Sequence, residues 1–192
     1  AASDVYKRQG KRMMKDIGGA WAKMASGMQQ MNRGMHRWYE MQDWNNLSKQ
    51  ISDWIMDYAS SNGISTLVVG VSGGIDSSVT STLCANTGLR TVVLNMPIHQ
   101  EASQYNLSNQ HIEWLSSNWE NVESHIIDLS ETFDSISIEL KEMGIDELAL
   151  ANTRARLRMA TLYSIAGSNN GIVVGTGNKV EDFGVGFFTK YG

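Results

Sequence analysis

From Trp44 onward the apolar positions follow two rhythms that replace one another along the chain. Trp44, Leu47, Ile51, Trp54, Ile55 and Tyr58 recur three and four residues apart, which predicts an amphipathic helix, and Asn62-Gly63 supplies its stop. Thr66-Leu-Val-Val-Gly-Val71 is then short, β-branched and apolar without alternation, as a strand covered on both faces of a parallel sheet must be. It runs into Ser72-Gly-Gly-Ile-Asp-Ser-Ser78 and a helical stretch to about Asn86. The unit repeats: a strand at 91–95, a helix at 101–118, a strand at 122–129, helices at 130–143 and 146–168, and a buried strand at 171–175. Strands alternating with helices predict right-handed crossovers and an α/β fold, an open parallel sheet with helices on both faces. The domain is expected over residues 43–192.

The first 42 residues break this pattern. They carry eight Lys and Arg against three acids, a charge of +5, whereas the rest carries eight against 17, a charge of −9. An acidic domain of this kind lacks the basic balance of a general nucleic-acid binder. Trp21, Met24, Met28, Met31, Met35 and Trp38 form a helical stripe, but Gly27 and Gly34 within it each cost about 1 kcal/mol against alanine. A basic amphipathic membrane helix and a transit peptide are alternatives. Asp4-Val-Tyr-Lys-Arg-Gln9 resembles the translated end of a transposon adapter used in sequencing libraries. On that reading residues 1–42 are a non-native or read-through leader without a fold of their own, with Met41 the expected start.

Of 192 residues 42% are apolar and only one is proline, so a disordered or collagen-like chain is excluded. A lone cysteine, Cys84, excludes an internal disulfide framework, a CxxC redox pair and a thiolate-rich zinc site, and it suits the cytoplasm. Cys84 lies beside Leu83 and Ala85 on a helix and is expected in the core, as are Trp114 and Trp119. No apolar run approaches the roughly 18 residues of a membrane span. His99, His111 and His125 are not spaced as a metal set.

Chemistry is expected at the carboxyl ends of the strands, where open α/β sheets hold their ligands. Gly73 and Gly74 let main-chain N–H groups approach an anion, and the following helix turns its positive end towards them. With the hydroxyls of Ser72, Ser77 and Ser78 this makes a phosphate cradle. Asp76 has two readings. A carboxylate among phosphate ligands implies an intervening hard cation such as Mg²⁺, whereas in a plain βα turn it only complements the helix dipole. The loop is neither a Walker A sequence nor a dinucleotide fingerprint, since GxxxxGK[ST] and GxGxxG are both missing there.

Ser72-Gly-Gly-Ile-Asp-Ser77 resembles the pyrophosphate loop SGGxDS of the N-type ATP pyrophosphatases, enzymes of adenine nucleotide alpha hydrolase-like fold that cleave ATP to AMP and pyrophosphate while adenylating a substrate. Asn152-Thr-Arg-Ala-Arg-Leu-Arg-Met159, Gly175-Thr-Gly-Asn-Lys-Val-Glu181 and Gly186-Phe-Phe-Thr-Lys-Tyr-Gly192 are similar to three successive signatures of the ammonia-dependent NAD synthetases. The resemblance covers residues 44–192, and the last family motif normally runs on beyond Gly192. It implies an amide-forming ligase that uses deamido-NAD, ATP and ammonia, with Mg²⁺, as a cytoplasmic homodimer. It assigns Gly70, Val71, Ser72, Gly73, Gly74, Ile75, Asp76, Ser77 and Thr176 to ATP, Asp76 and Glu181 to magnesium, and Arg156 and Lys190 to deamido-NAD. No side chain is assigned as a catalytic nucleophile. Arg154 and Arg158 share a helix face while Arg156 points about 200° away, so the three are expected to differ in role. Alternatives are the synthetase domain of a glutamine-dependent enzyme, another adenylating amide ligase, and a nucleotide-binding module without a reaction.

Overall fold

A computed structural model describes residues 43–185, apart from the side chains of Phe183 and Val185. The Met and Trp stripe of the leader, and Lys190, lie outside the described residues. The chain divides after Leu47 into two units. In the first, Asp43 accepts the Asn46 N–H at 3.0 Å, so a carboxylate caps the start of helix α1 (Trp44–Ser61).

The elements that follow are β1 (Thr66–Gly70), α2 (Ile75–Asn86), β2 (Arg90–Asn95), α3 (Ala102–Asn118), β3 (Val122–Ile126), α4 (Ser130–Leu140), α5 (Glu147–Ser168) and β4 (Gly171–Val173). A single 3-10 turn, Lys141–Met143, follows α4, and a π-helical turn, Val180–Val185, follows β4. The described strands form one four-stranded sheet in the order β3-β2-β1-β4, parallel throughout.

The apolar, unalternating strands are explained by what covers them. Leu67 and Val69 face Ala59 of α1 and Cys84 of α2 on one side of the sheet, where Val93 packs with Ile112 and Leu115 of α3. Val68, Val92 and Leu94 face Phe133 of α4 and Leu162 and Ala166 of α5 on the other. Each large aliphatic side chain so buried contributes roughly 1.5–3 kcal/mol. Cys84 is fully buried, as expected. Trp114 is not a core residue: it is 46% exposed, stacked on His111 and edge-on to Trp119, whose indole N–H donates to Asn86 at 3.1 Å.

Two strands depart from expectation. β3 stops at Ile126 and is mostly exposed, since among the described residues it is paired on one side only. Ile127 and Leu129 N–H continue the register to the Asn95 and Pro97 carbonyls, but Pro97 has no N–H to return the next ladder bond, and Asp128 takes the Ser130 N–H at 2.8 Å to open α4. β4 is shorter than 171–175 and half-buried, since among the described residues it is paired on one side only.

Candidate active site

Connections from β1 run to β2 and then β3 on one side, while β4 returns to the other side of β1. The carboxyl ends of β1 and β4 therefore flank a topological switch point, the place where a parallel sheet opens a crevice between diverging loops.

The loop after β1 is built by its own polar groups. Val71 N–H still donates to the Leu94 carbonyl at 2.8 Å, and the residue is 3% exposed within the core, so it can offer a ligand only its carbonyl oxygen. Gly73 takes φ +84°, and a Cβ there would stand 3.0 Å from the Gln104 carbonyl oxygen and 3.1 Å from the Ser108 nitrogen. Glycine is required at this position both for the backbone angle and for the close approach to α3. Ser77 Oγ donates to the Gly74 carbonyl at 2.9 Å and accepts the Ser72 N–H at 3.2 Å, so this hydroxyl, expected to face phosphate, is engaged in shaping the loop. Ser78 Oγ also donates to the Gly74 carbonyl, at 3.0 Å.

Helix α2 begins at Ile75, inside the predicted loop, which places Asp76 and Ser77 in its first turn. Gly74 is its N-cap and supplies no side-chain bond. The first N–H groups of a helix have no carbonyl one turn back, so this end carries free donors and partial positive charge. Ile75 is 74% exposed and Asp76 half-buried.

Thr176, half-buried, and Gly177 carry the chain from β4 to Asn178. Asn178 Oδ1 accepts the N–H groups of Val180 at 3.1 Å and Glu181 at 2.9 Å, and its Nδ2 donates to Asp76 Oδ2 at 3.3 Å. Asp76 through its carboxylate and Glu181 through its main-chain N–H are thus held by one side-chain amide. Glu181 itself is exposed. Among the described residues no three His, Cys, Asp or Glu side chains group to enclose a metal ion. One carboxylate in the first turn of α2 and one in the turn after β4 are hard oxygen donors of the kind that fit Mg²⁺, which takes one or two carboxylates and completes its shell with other oxygens.

The three arginines of α5 separate as their spacing requires. Arg158 Nε donates to the Met96 carbonyl just beyond β2, at 2.9 Å, and burial with Arg154 nearby lowers its pKa from the ordinary value. Arg154 lies with its guanidinium carbon 4.2 Å from the centre of the Phe133 ring. Arg156 is on the exposed side of the helix.

Three features of this edge were missed by sequence reasoning. Asn178 lies inside a motif that was recognised, and its side-chain bonds depend on which loop faces it. Asn95, buried at the end of β2, donates to Ser108 Oγ and Asn109 Oδ1, both at 2.8 Å, and so fixes α3 beneath the Gly73 turn. His99 has φ +46°; its N–H donates to Ser130 Oγ at 3.1 Å and its Nε2 pairs with Asp134 Oδ1 at 2.7 Å. The other histidines among the described residues bond elsewhere, His111 to Ser81 and His125 to Glu123.

Comparison with known proteins gives a consistent picture. The family model described as NAD synthase matches residues 47–192. The NH(3)-dependent NAD(+) synthetase of Methanosarcina mazei is 34% identical over 151 residues, covering 78% of this chain and 58% of that protein. The enzyme of the same name from Mycoplasma genitalium is 34% identical over 150 residues, 75% of this chain and 57% of its own. Among solved structures, the NMN synthetase of Francisella tularensis superposes with a TM-score of 0.70 at 31% identity, covering 77% of this chain and 60% of that one. The NH3-dependent NAD synthetase of Campylobacter jejuni, in complex with nitrate, gives 0.69 at 28%, covering 79% and 63%. The chain thus spans somewhat under two thirds of the length of these relatives.

Proposed function

The chain belongs to the NAD synthase family, and from that premise we propose that the protein carrying it converts deamido-NAD to NAD with ammonia, cleaving ATP to AMP and pyrophosphate. The observation that carries this reading is the bond from Asn178 to Asp76. A pyrophosphate loop and a metal-ligand signature must act on the same ATP, and this bond joins the two at the switch point of the sheet.

The chemistry follows from the weakness of a carboxylate as an acyl donor. The nicotinate carboxylate of deamido-NAD attacks the α-phosphorus of ATP, the bond to pyrophosphate breaks, and an acyl-adenylate results. Ammonia then adds at the acyl carbon, AMP leaves with the electrons of the C–O bond, and the nitrogen gives up a proton to yield the amide. The main chain of 70–77 and the first turn of α2 hold the phosphates, with Thr176 beside them. Arg156 and Lys190 hold deamido-NAD. Asp76 and Glu181 would hold magnesium, whose charge would offset that of the phosphates. Positioning and electrostatics supply the catalysis, and no protein nucleophile is needed.

The same proposal includes a homodimer, on family resemblance, and a cytoplasmic location, which the single buried cysteine suits. Among the described residues no helix is long and apolar enough to cross a membrane.

The test is pyrophosphate release by the protein encoded by the gene that carries this chain, with Mg-ATP and a panel of deamido-NAD, the corresponding deamido mononucleotide, xanthosine monophosphate and aspartate. Release with deamido-NAD, and NAD formation only on adding ammonia, is expected. Release driven by xanthosine monophosphate or aspartate, without a response to deamido-NAD, overturns the substrate and leaves the ATP chemistry standing. The mononucleotide is included because one structural relative is named an NMN synthetase.

A further inference from the structure

Asn178 bonds in two directions at once. Its Oδ1 receives two backbone N–H groups, from Val180 and Glu181. Two donors converging on one terminal atom require that atom to be oxygen, so the orientation of the amide is set by its partners. The nitrogen end then faces Asp76, 102 residues earlier in the chain, at 3.3 Å. In addition the Asn178 carbonyl accepts the Asp182 N–H at 3.0 Å, so the residue starts the turn Val180–Val185 with both its main chain and its side chain.

These bonds have different consequences. The pair at Oδ1 caps the turn that carries Glu181 and fixes where that residue leaves the backbone. The donor at Nδ2 takes one oxygen of the Asp76 carboxylate, Oδ2, and orients the group without occupying Oδ1. A side chain that makes only one of these contacts would order only one of the two loops. Asparagine makes both, because it carries an acceptor and a donor on one short planar group.

We propose that Asn178 is a positioning residue that presets Asp76 and Glu181 as one unit across the β1 and β4 loops, so that Mg-ATP meets two carboxylates already aligned. This rests on the reading of Asp76 and Glu181 as magnesium ligands. Asn178 does not touch the reacting atoms in this scheme. It acts through the carboxylate it orients and the turn it caps, as outer-sphere partners of metal ligands generally do.

Asn178→Ser separates the two functions. A serine hydroxyl caps a helical turn but is too short to reach Asp76. Asn178→Ala removes both. Titration calorimetry of the wild type with ATP, with and without Mg²⁺, comes first: ATP binding that ignores Mg²⁺ overturns the metal reading itself. Given a magnesium-dependent wild type, Asn178→Ser is expected to weaken Mg-ATP by about tenfold or more, to leave metal-free ATP binding unchanged, and to keep the wild-type hydrogen-exchange protection of the Val180 and Glu181 amides. Asn178→Ala is expected to lose that protection as well. Wild-type Mg-ATP affinity in Asn178→Ser overturns the proposal while the metal reading stands, and so does an equal loss of metal-free ATP binding, which marks a general loosening of the loop.

If Asn178→Ser fails to fold, the wild type supplies the decision. The side-chain NH₂ resonances of Asn178 are expected to shift in Asp76→Asn and on titration with Mg²⁺ and a non-hydrolysable ATP analogue. Resonances that ignore both changes overturn the proposal.

Discussion

Asn178 donates to Asp76 across 3.3 Å, from the loop after β4 to the first turn of α2. The two strands that carry these loops are neighbours, paired Thr66 to Gly171 through Val68 to Val173, although about 100 residues of chain lie between them. The bond joins the side that carries the glycines, the free helix donors and Asp76 to the turn that carries Glu181.

Asp76→Asn is expected to abolish magnesium-dependent ATP binding and to leave the melting temperature close to that of the parent. The residue is half-buried in a loop-facing turn and packs in no core cluster. Calorimetry with and without Mg²⁺ decides the matter, and an unchanged metal dependence would remove Asp76 from the metal site.

Gly73→Ala and Gly74→Ala should behave differently. At Gly73 the new methyl would approach the Gln104 carbonyl to 3.0 Å from a backbone at φ +84°, whereas at Gly74, with φ −83°, the nearest atom is Ser72 Oγ at 3.4 Å. Strain of this kind costs about 1–3 kcal/mol. Urea unfolding is expected to show that loss for Gly73→Ala and a much smaller one for Gly74→Ala; equal midpoints would mean that the turn rearranges freely.

Cys84 should be inert in the folded protein. Burial pushes its thiol up to about 12, so the unfolded chain, with an ordinary thiol near 9.0, releases its proton first as pH rises. Stability is therefore fully present below about pH 9 and declines towards 12, with a limiting slope of about 1.4 kcal/mol per pH unit. Thiol labelling should proceed at the rate of unfolding, and Cys84→Ala should flatten the alkaline limb. Rapid labelling of native protein would contradict the buried placement.

His111 should act at the other end of the scale. Burial against α2 lowers its pKa below 6.5, partly opposed by a bond to the Ser78 main chain. The unfolded chain then takes up the proton first as pH falls, so this contribution is present above about pH 6.5 and is lost below it. His111→Gln, which can still bond Ser81, should melt with less pH dependence between pH 7 and 5 than the parent. Parallel melting curves would show that His111 does not contribute.

Much of the architecture was legible in the residues because local chemistry dictates it. Unalternating runs such as Thr66–Val71 have no solvent face to offer, Asn62-Gly63 ends a helix, and Asp146 caps α5 by accepting the Ala149 N–H at 2.8 Å. The glycine turn between β1 and α2 was legible too, whereas the bonds that occupy the Ser77 and Ser78 hydroxyls within it were not. The lengths of β3 and β4 were not legible, because among the described residues each is paired on one side only, and β3 ends where Pro97 of its neighbour has no N–H to return the ladder bond. The spacing of Arg154, Arg156 and Arg158 foretold that one would stand apart, but only packing decided that Arg158 reaches the Met96 carbonyl and Arg154 the Phe133 ring. Asn178 is the clearest case. Its motif was readable, while its contact with Asp76 exists only because β4 crosses to the far side of β1, a choice made by the burial of whole faces and written in no single residue.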